Sequence, residues 1–194
     1  MMTKKQIRDH IFEKRDSMSD EQISSMSGMV AERLMATKEY MKASDIFIYV
    51  GCRHEVETEE IIEASFKAGK RIAVPKVTDA KAGIMEFYYI SSFEQLKLGY
   101  YGIMEPQDGE KAEPKGDGSC LIVMPGVAFG RDGARIGYGG GFYDRDLARS
   151  NGSSAFALAF DFQIIDSVPS ESTDLKPDMV VTETEIFPSR GSRI

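Results

Sequence analysis

With 194 residues, 42% hydrophobic and 28% charged, the chain suits one α/β domain whose core needs no disulfide or metal staple. A net charge of −7 with no basic tail or patch argues against a general nucleic-acid or anionic-membrane binder. The two cysteines, Cys52 and Cys120, form no CxxC pair, no apolar run nears membrane-spanning length and no apolar signal segment follows Met1, which together predict a cytoplasmic protein without disulfides or a zinc site.

Thr3-Lys4-Lys5-Gln6 is a capping box that opens a helix reaching about Met18, and Ser19-Asp20-Glu21-Gln22 opens a second with Ile23, Met26, Val30 and Leu34 on one face. Asp45 to Val50 reads as a buried strand. A helix then starts at Thr58 and is closed by Gly69. Arg71 to Pro75 and Ile84 to Ile90 are the next strands, followed by a loop-rich stretch from Gly99 to Ser119. Cys120 to Met124 is a strand ended by Pro125, Phe142 to Ser150 is helical, and Ala155 to Phe160 and Met179 to Val181 are the last strands. Short apolar strands alternating with amphipathic helices predict an α/β fold, a mostly parallel sheet flanked by helices on both faces, in a single domain over residues 1–194.

The densest chemistry lies in Arg135-Ile136-Gly137-Tyr138-Gly139-Gly140-Gly141-Phe142-Tyr143-Asp144-Arg145. Four glycines within five positions free the backbone of most Cβ atoms, so successive N–H groups can turn toward one anion. Arg135 and Arg145 supply cations and Asp144 a carboxylate able to hold Mg²⁺, which is what a polyphosphate–metal site requires. The other reading is a glycine-rich turn without a ligand. The run is neither a dinucleotide fingerprint, since Phe142 and Asp144 stand where a third Gly would be, nor a Walker-type loop, since Phe142-Tyr143 replace Lys-Ser/Thr.

Lys4, Arg8 and Arg15 lie within roughly 40° of one another on the helical wheel. Ile7 and Ile11 border them on one side and Phe12 on the other. Such a stripe either covers apolar surface with its stems or faces a phosphate, and Lys4 and Arg8 are the candidates for the second role. Downstream, Gly51 to Thr58 follows a strand, at the end of the sheet where α/β proteins bind ligands. There Glu55 can accept hydrogen bonds from a heterocycle carrying N–H donors, Thr58 reads as a helix cap, and His54 reads as an exposed loop residue. His10 lies on a polar helix face. With two weak His candidates and no Gly-x-Ser-x-Gly elbow, hydrolase triads are unsupported. Asp174 and Asp178 precede the final strand, where either one joins Asp144 at a metal or Asp174 caps a turn.

The stretch Met124-Pro125-Gly126-Val127-Ala128-Phe129 through the glycine run strongly resembles the 5-formyltetrahydrofolate cyclo-ligase (methenyltetrahydrofolate synthetase) family. Lys4-x-x-x-Arg8, Glu55-Val56-Glu57-Thr58, Gly102-Ile103-x-Glu105-Pro106 and Asp174-x-x-x-Asp178 follow in family order, so the likeness spans nearly the whole chain. One departure is Gly130-Arg131 after Phe129, where relatives usually carry Asp.

The resemblance implies an ATP- and Mg²⁺-dependent enzyme that converts 5-formyltetrahydrofolate into 5,10-methenyltetrahydrofolate, releasing ADP and phosphate. By family pattern Lys4, Arg8 and the loop Arg135, Gly137, Tyr138, Gly139, Gly140, Gly141, Phe142 and Tyr143 contact ATP. Val50, Glu55 and Tyr138, Gly139, Gly140, Gly141 and Phe142 border the folate, and Asp144 and Asp174 are metal positions. Arg135 and Arg145 are the candidate catalytic cations. The expected partners are small molecules only, reduced folate and ATP, with no nucleic acid or membrane, and the chain is expected to be a monomer or weak homodimer. The alternative is a nucleotide- or anion-binding paralogue without folate activity, for example in thiamine metabolism.

Overall fold

The computed structural model describes residues 2–150, 152–171 and 174–189; the last five positions of the expected 1–194 domain lie outside them. Both capping boxes form. Thr3 and Ser19 accept from the backbone of Gln6 and Gln22 and receive the reciprocal side-chain bond, starting α1 (Lys4–Asp16) and α2 (Asp20–Met35). A five-residue helix absent from the sequence reading, α3 (Lys38–Lys42), leads into strand β1 (Asp45–Ile48), which stops two residues before the expected Val50. α4 (Glu59–Lys67) connects β1 to β2 (Arg71–Asp79), and β2 turns back into β3 (Ile84–Ile90).

The stretch expected to be loop-rich contains structure of its own. A hairpin of β4 (Leu96–Leu98) and β5 (Met104–Pro106) is followed by the short β6 (Lys111–Ala112). β7 (Cys120–Met124) comes as expected, and two short strands, β8 (Ala128–Gly130) and β9 (Arg135–Ile136), deliver the chain to the glycine run and α5 (Phe142–Arg149). β10 (Ser154–Leu158), β11 (Ile164–Ile165), β12 (Met179–Val181) and β13 (Ile186–Pro188) complete the chain.

The central sheet runs β13-β12-β10-β7-β1-β2-β3-β6. Its five middle strands, from β12 to β2, are parallel, and the antiparallel pairs β13 on β12, β3 on β2 and β6 on β3 lie outside them. Alternation of side chains splits the core in two. Ile46, Ile48, Leu121, Val123, Phe156 and Leu158 pack on one face with Val30, Leu34 and Ile61 of the helices. Phe47, Ile122, Met124, Ala155 and Ala157 pack on the other with Leu147 of α5. The sheet is therefore mostly parallel and covered on both faces, as the alternating pattern predicts.

Pro75 sits inside β2, yet β2 pairs with β1 only from Arg71 to Ala73. Beyond that point the strand has no partner on the β1 side, so the missing N–H of Pro75 breaks no bond there. The overhang of β2, together with the chain leaving β1 and β7, forms a wall at the carboxyl end of the parallel strands. A separate three-stranded sheet, β11-β8-β9, carries α1, whose Ile7 and Ile11 pack against Val127, Ala128, Ala134 and Ile136. That packing sets the basic helix beside the glycine loop.

Candidate active site

The carboxyl ends of β1, β2 and β7 open into a cavity of about 570 Å³ whose lining includes Val50, Pro75 and Pro125. The same cavity is lined by Lys4 and Arg8 from α1, by Glu55, and by Arg135, Gly137 to Tyr143, Asp144 and Asp174. The residues that the sequence reading put forward for a site are therefore on one wall or another, with the exceptions of Asp178, whose Oδ2 accepts from the Ala155 amide at 2.8 Å, and of Arg145. That side chain lies outside the lining, where its Nη1 donates to the carbonyls of Gly140 at 2.7 Å and Gly83 at 3.2 Å. In this geometry Arg145 holds the glycine loop from outside.

Gly139 and Gly141 have φ of 102° and 67°, conformations in which a side chain would be strained. Among the described residues, the amides from Gly137 to Gly141 donate to no acceptor in the chain's own network, and Gly141 leads directly into the N-terminus of α5. Free amides at a helix N-terminus form a cradle for an anion. Arg8 is tied to this loop, its Nε donating to the Gly137 carbonyl at 2.8 Å.

Arg135 is buried, in contrast to a surface-loop arginine. Its Nη2 donates to Asp144 Oδ1 at 2.9 Å and its Nη1 to the Pro125 carbonyl at 3.3 Å, while Nε has no partner among the described residues. The buried hydroxyl of Tyr143, another lining residue, also has none among them. Buried polar atoms left over by the fold are where a ligand finds its hydrogen bonds.

Lys4 donates to Asp174 Oδ2 at 2.7 Å and to Glu171 Oε1 at 3.0 Å. Partial burial pulls the Lys4 pKa down, and the bonds to Asp174 and Glu171 outweigh it, so the net shift is upward. Among the described residues the bonds to Asp144 fall on Oδ1, from Arg135 and the Leu175 amide, and those to Asp174 fall on Oδ2. Each carboxylate so keeps its other oxygen for a ligand. Among the described residues no group of three or more His, Cys, Asp or Glu could hold a metal unaided. Two carboxylates do suit a Mg²⁺ ion that takes its remaining oxygens from phosphates and water.

Glu55, also in the lining, is buried, 5% exposed. Its Oε1 accepts from Tyr138 Oη at 2.5 Å, and its Oε2 from the Cys52 amide at 3.1 Å and Cys52 Sγ at 3.4 Å. Burial first, and the Glu55 charge second, push up the pKa of Tyr49, Tyr138 and Cys52, the thiol to about 12. Tyr138 and Cys52 are neutral donors to one carboxylate at neutral pH, Tyr49 donates instead to the Val56 carbonyl at 2.9 Å, and none of the three is a ready nucleophile.

Two expectations about this loop are corrected. Thr58 makes no side-chain cap; its hydroxyl donates to the Tyr49 carbonyl at 2.7 Å and accepts from the Gly51 amide at 3.3 Å, pinning the loop shut behind Glu55. His54 is half-buried, with Nδ1 2.9 Å from the Arg15 carbonyl and Nε2 3.3 Å from Asp20. It and Arg53 take left-handed φ of 54° and 50°, which two non-glycine residues adopt only where contacts hold them.

Sequence reasoning assigned no role to several lining residues. Glu105 is buried and accepts from the Val77 amide at 3.1 Å, where the β2–β3 register slips between Val77 and Asp79. Its signal was a lone acid between Met104 and Pro106. Tyr101, exposed and at φ 58°, stands edge-on to Tyr100 on the β4–β5 hairpin. The basic stripe of α1 divides: Lys4 and Arg8 reach the cavity, whereas Arg15 is buried in line with Ile7 and Ile11.

The model of the 5-formyltetrahydrofolate cyclo-ligase family matches residues 1–183. Among curated proteins, the chain is 30% identical over 190 residues to the 5-formyltetrahydrofolate cyclo-ligase of Mus musculus, covering 93% of each chain. It is 29% identical over 179 residues to that of Escherichia coli (strain K12), covering 91% of this chain and 98% of the other. Among solved structures, the 5,10-methenyltetrahydrofolate synthetase of Aquifex aeolicus aligns over 100% of this chain and 96% of its own, with 31% identity and a TM-score of 0.84.

Proposed function

The chain belongs to the 5-formyltetrahydrofolate cyclo-ligase family, and from that premise we propose that it converts 5-formyltetrahydrofolate to 5,10-methenyltetrahydrofolate with cleavage of ATP to ADP and phosphate. The observation that supports this most directly is the shared cavity. Phosphate-type donors (Lys4, Arg8 and the free glycine amides) and a buried carboxylate suited to a heterocycle, Glu55, line the same space. A nucleotide-only module in another pathway has no use for a buried Glu55 beside the phosphate loop.

The chemistry asks for what these residues supply. A formyl oxygen is a poor leaving group. Transfer of the γ-phosphoryl group of ATP to that oxygen makes it phosphate; the second nitrogen then attacks the formyl carbon, gives up its proton to solvent and closes the ring as phosphate is expelled. Phosphoryl transfer requires positioning and charge stabilisation more than a covalent nucleophile. The glycine amides and the α5 N-terminus cradle the phosphates, Lys4 and Arg8 add positive charge at one rim, and Arg135 adds it beside Asp144. Glu55 and Val50 receive the folate ring system, with Tyr138 and Phe142 at its border. Asp144 and Asp174 would hold Mg²⁺, which when bound neutralises charge on the phosphates. Arg145 serves the loop's shape, in keeping with its place outside the cavity.

The test is incubation of the protein with 5-formyltetrahydrofolate and MgATP while the absorbance of the methenyl product is followed. Product formation that requires both ATP and Mg²⁺ is expected. ATP binding with no product and no affinity for the folate would overturn the reading in favour of a nucleotide-binding paralogue.

A further inference from the structure

Arg15 is 1% exposed, in a row with Ile7 and Ile11, at a position where a leucine would complete an apolar stripe. Burying a guanidinium there is costly, and its two Nη groups find acceptors while Nε finds none among the described residues. Nη1 donates to Tyr138 Oη at 2.6 Å and Nη2 to the Gly126 carbonyl at 2.8 Å. The Gly126 carbonyl also accepts from Gln163 Nε2 at 2.9 Å, so that peptide keeps a partner without Arg15. The Tyr138 oxygen, by contrast, loses the donor it accepts from and keeps only its own bond to Glu55.

A phenol has one proton. With the Arg15 N–H on its oxygen, Tyr138 turns its own proton to Glu55 Oε1, 2.5 Å away. Phe12 stacks on the Tyr138 ring at 5.9 Å and 23°, and His54 Nδ1, 2.9 Å from the Arg15 carbonyl, ties the loop of Glu55 to the same turn of α1. Three segments distant in sequence thus meet in one chain of hydrogen bonds that ends on a carboxylate in the cavity.

We propose that Arg15 is a positioning residue of the folate site: through the Tyr138 hydroxyl it fixes the Glu55 carboxylate in the orientation that receives the N–H donors of the pterin. The proposal rests on the assignment of Glu55 to the pterin under the proposed function. It also makes Tyr138, a residue of the phosphate loop, the physical link between the two halves of the cavity.

Folate affinity, measured by calorimetry without nucleotide, tests it in a double-mutant cycle. Tyr138→Phe removes one oxygen and keeps the ring on Phe12; it should weaken folate binding by roughly tenfold, the scale of one charge-assisted hydrogen bond. Arg15→Met should have a similar effect, the double variant should be no weaker than either single one, and Arg15→Lys should recover part of the loss because an ammonium can still donate to the hydroxyl. Binding of a non-hydrolysable ATP analogue should stay near wild type in Arg15→Met and Arg15→Lys, which a general loss of structure would not allow. The proposal is overturned if Arg15→Met weakens folate binding by the same factor with Phe at 138 as with Tyr, or if Tyr138→Phe binds folate normally. That second measurement decides the matter even if Arg15→Met does not fold. Glu55→Gln separates the two levels: normal folate affinity in that variant removes the pterin assignment and the proposal together. Weakened affinity there, with none in Tyr138→Phe, removes the role of Arg15 alone.

Discussion

Arg15 and Arg135 hold adjacent peptides: Arg15 Nη2 donates to the carbonyl of Gly126 and Arg135 Nη1 to that of Pro125, immediately beyond the end of β7. One guanidinium comes from α1 and the other from β9, so the carboxyl end of the central strand is clamped between the basic helix and the strand that feeds the glycine loop. Both side chains are buried and both have an Nε unpartnered among the described residues. The clamp changes what substitution at these positions should do.

Arg135→Ala should cost stability as well as activity. It strips Asp144 of its cation and Pro125 of a donor, for an expected loss of about 1–3 kcal/mol in folding free energy. The barrier to phosphoryl transfer should rise by roughly 2.7–4 kcal/mol, by analogy with loss of a single preorganised donor at an anionic transition state. Denaturant titration and turnover at saturating substrate measure the two separately. Wild-type turnover in a folded variant would remove Arg135 from the chemistry.

Lys4→Ala should raise the apparent Michaelis constant for ATP and leave that for the folate nearly unchanged, because Lys4 lies with Asp174 and Glu171 at one end of the cavity, while Glu55 is bonded to Tyr138 at another wall. The pair is near the surface, so stability should fall by less than about 1 kcal/mol. Initial rates over a matrix of both substrates distinguish this from equal effects on the two constants, which would contradict it.

Cys52 should resist alkylation. Its pKa is raised to about 12 by burial and then by the Glu55 charge, so at pH 8 only about one thiol in ten thousand is thiolate. Glu55→Gln removes the second cause, and iodoacetamide should then modify Cys52 faster at the same pH, as followed by intact mass. Equal rates in the two proteins would show that Glu55 does not sense the thiol.

Asp45 should contribute to stability in a pH-dependent way. Burial raises its pKa, but hydrogen bonds from Ser44 and Tyr89 and the charge of Arg71 bring it below the ordinary 3.8. A pKa lowered on folding stabilises fully above the unfolded value, and the contribution is lost as pH falls through the folded one. The stability gap between wild type and Asp45→Asn should therefore be widest at neutral pH and shrink as the pH falls below 3.8. Urea titrations at a series of acidic pH values read it out. A gap that stays constant with pH would contradict the assignment.

Local chemistry made much of this molecule legible in one dimension. The capping boxes at Thr3 and Ser19 form because both partners of each are three residues apart, and the short runs at 45–48, 71–74 and 120–124, rich in Ile, Val and Phe, become strands whose backbone groups pair with their neighbours in the sheet. The glycine run announced an anion loop because positive φ at Gly139 and Gly141 is a property of single residues.

What sequence spacing left open were the contacts between segments far apart in the chain. The wheel placed Lys4, Arg8 and Arg15 on one stripe, but only packing on β8 and β9 separates two cavity cations from one buried under Tyr138. Spacing could not tell that Arg145 turns away to Gly83, that Thr58 bonds backward to Tyr49, or that Glu105 fills a register slip in β2. Helix and turn signals arise from neighbours within a few residues. A site is made where α1, the β1–α4 loop and the glycine loop converge, and that convergence depends on which faces the sheet buries, which is decided only when the whole chain has folded.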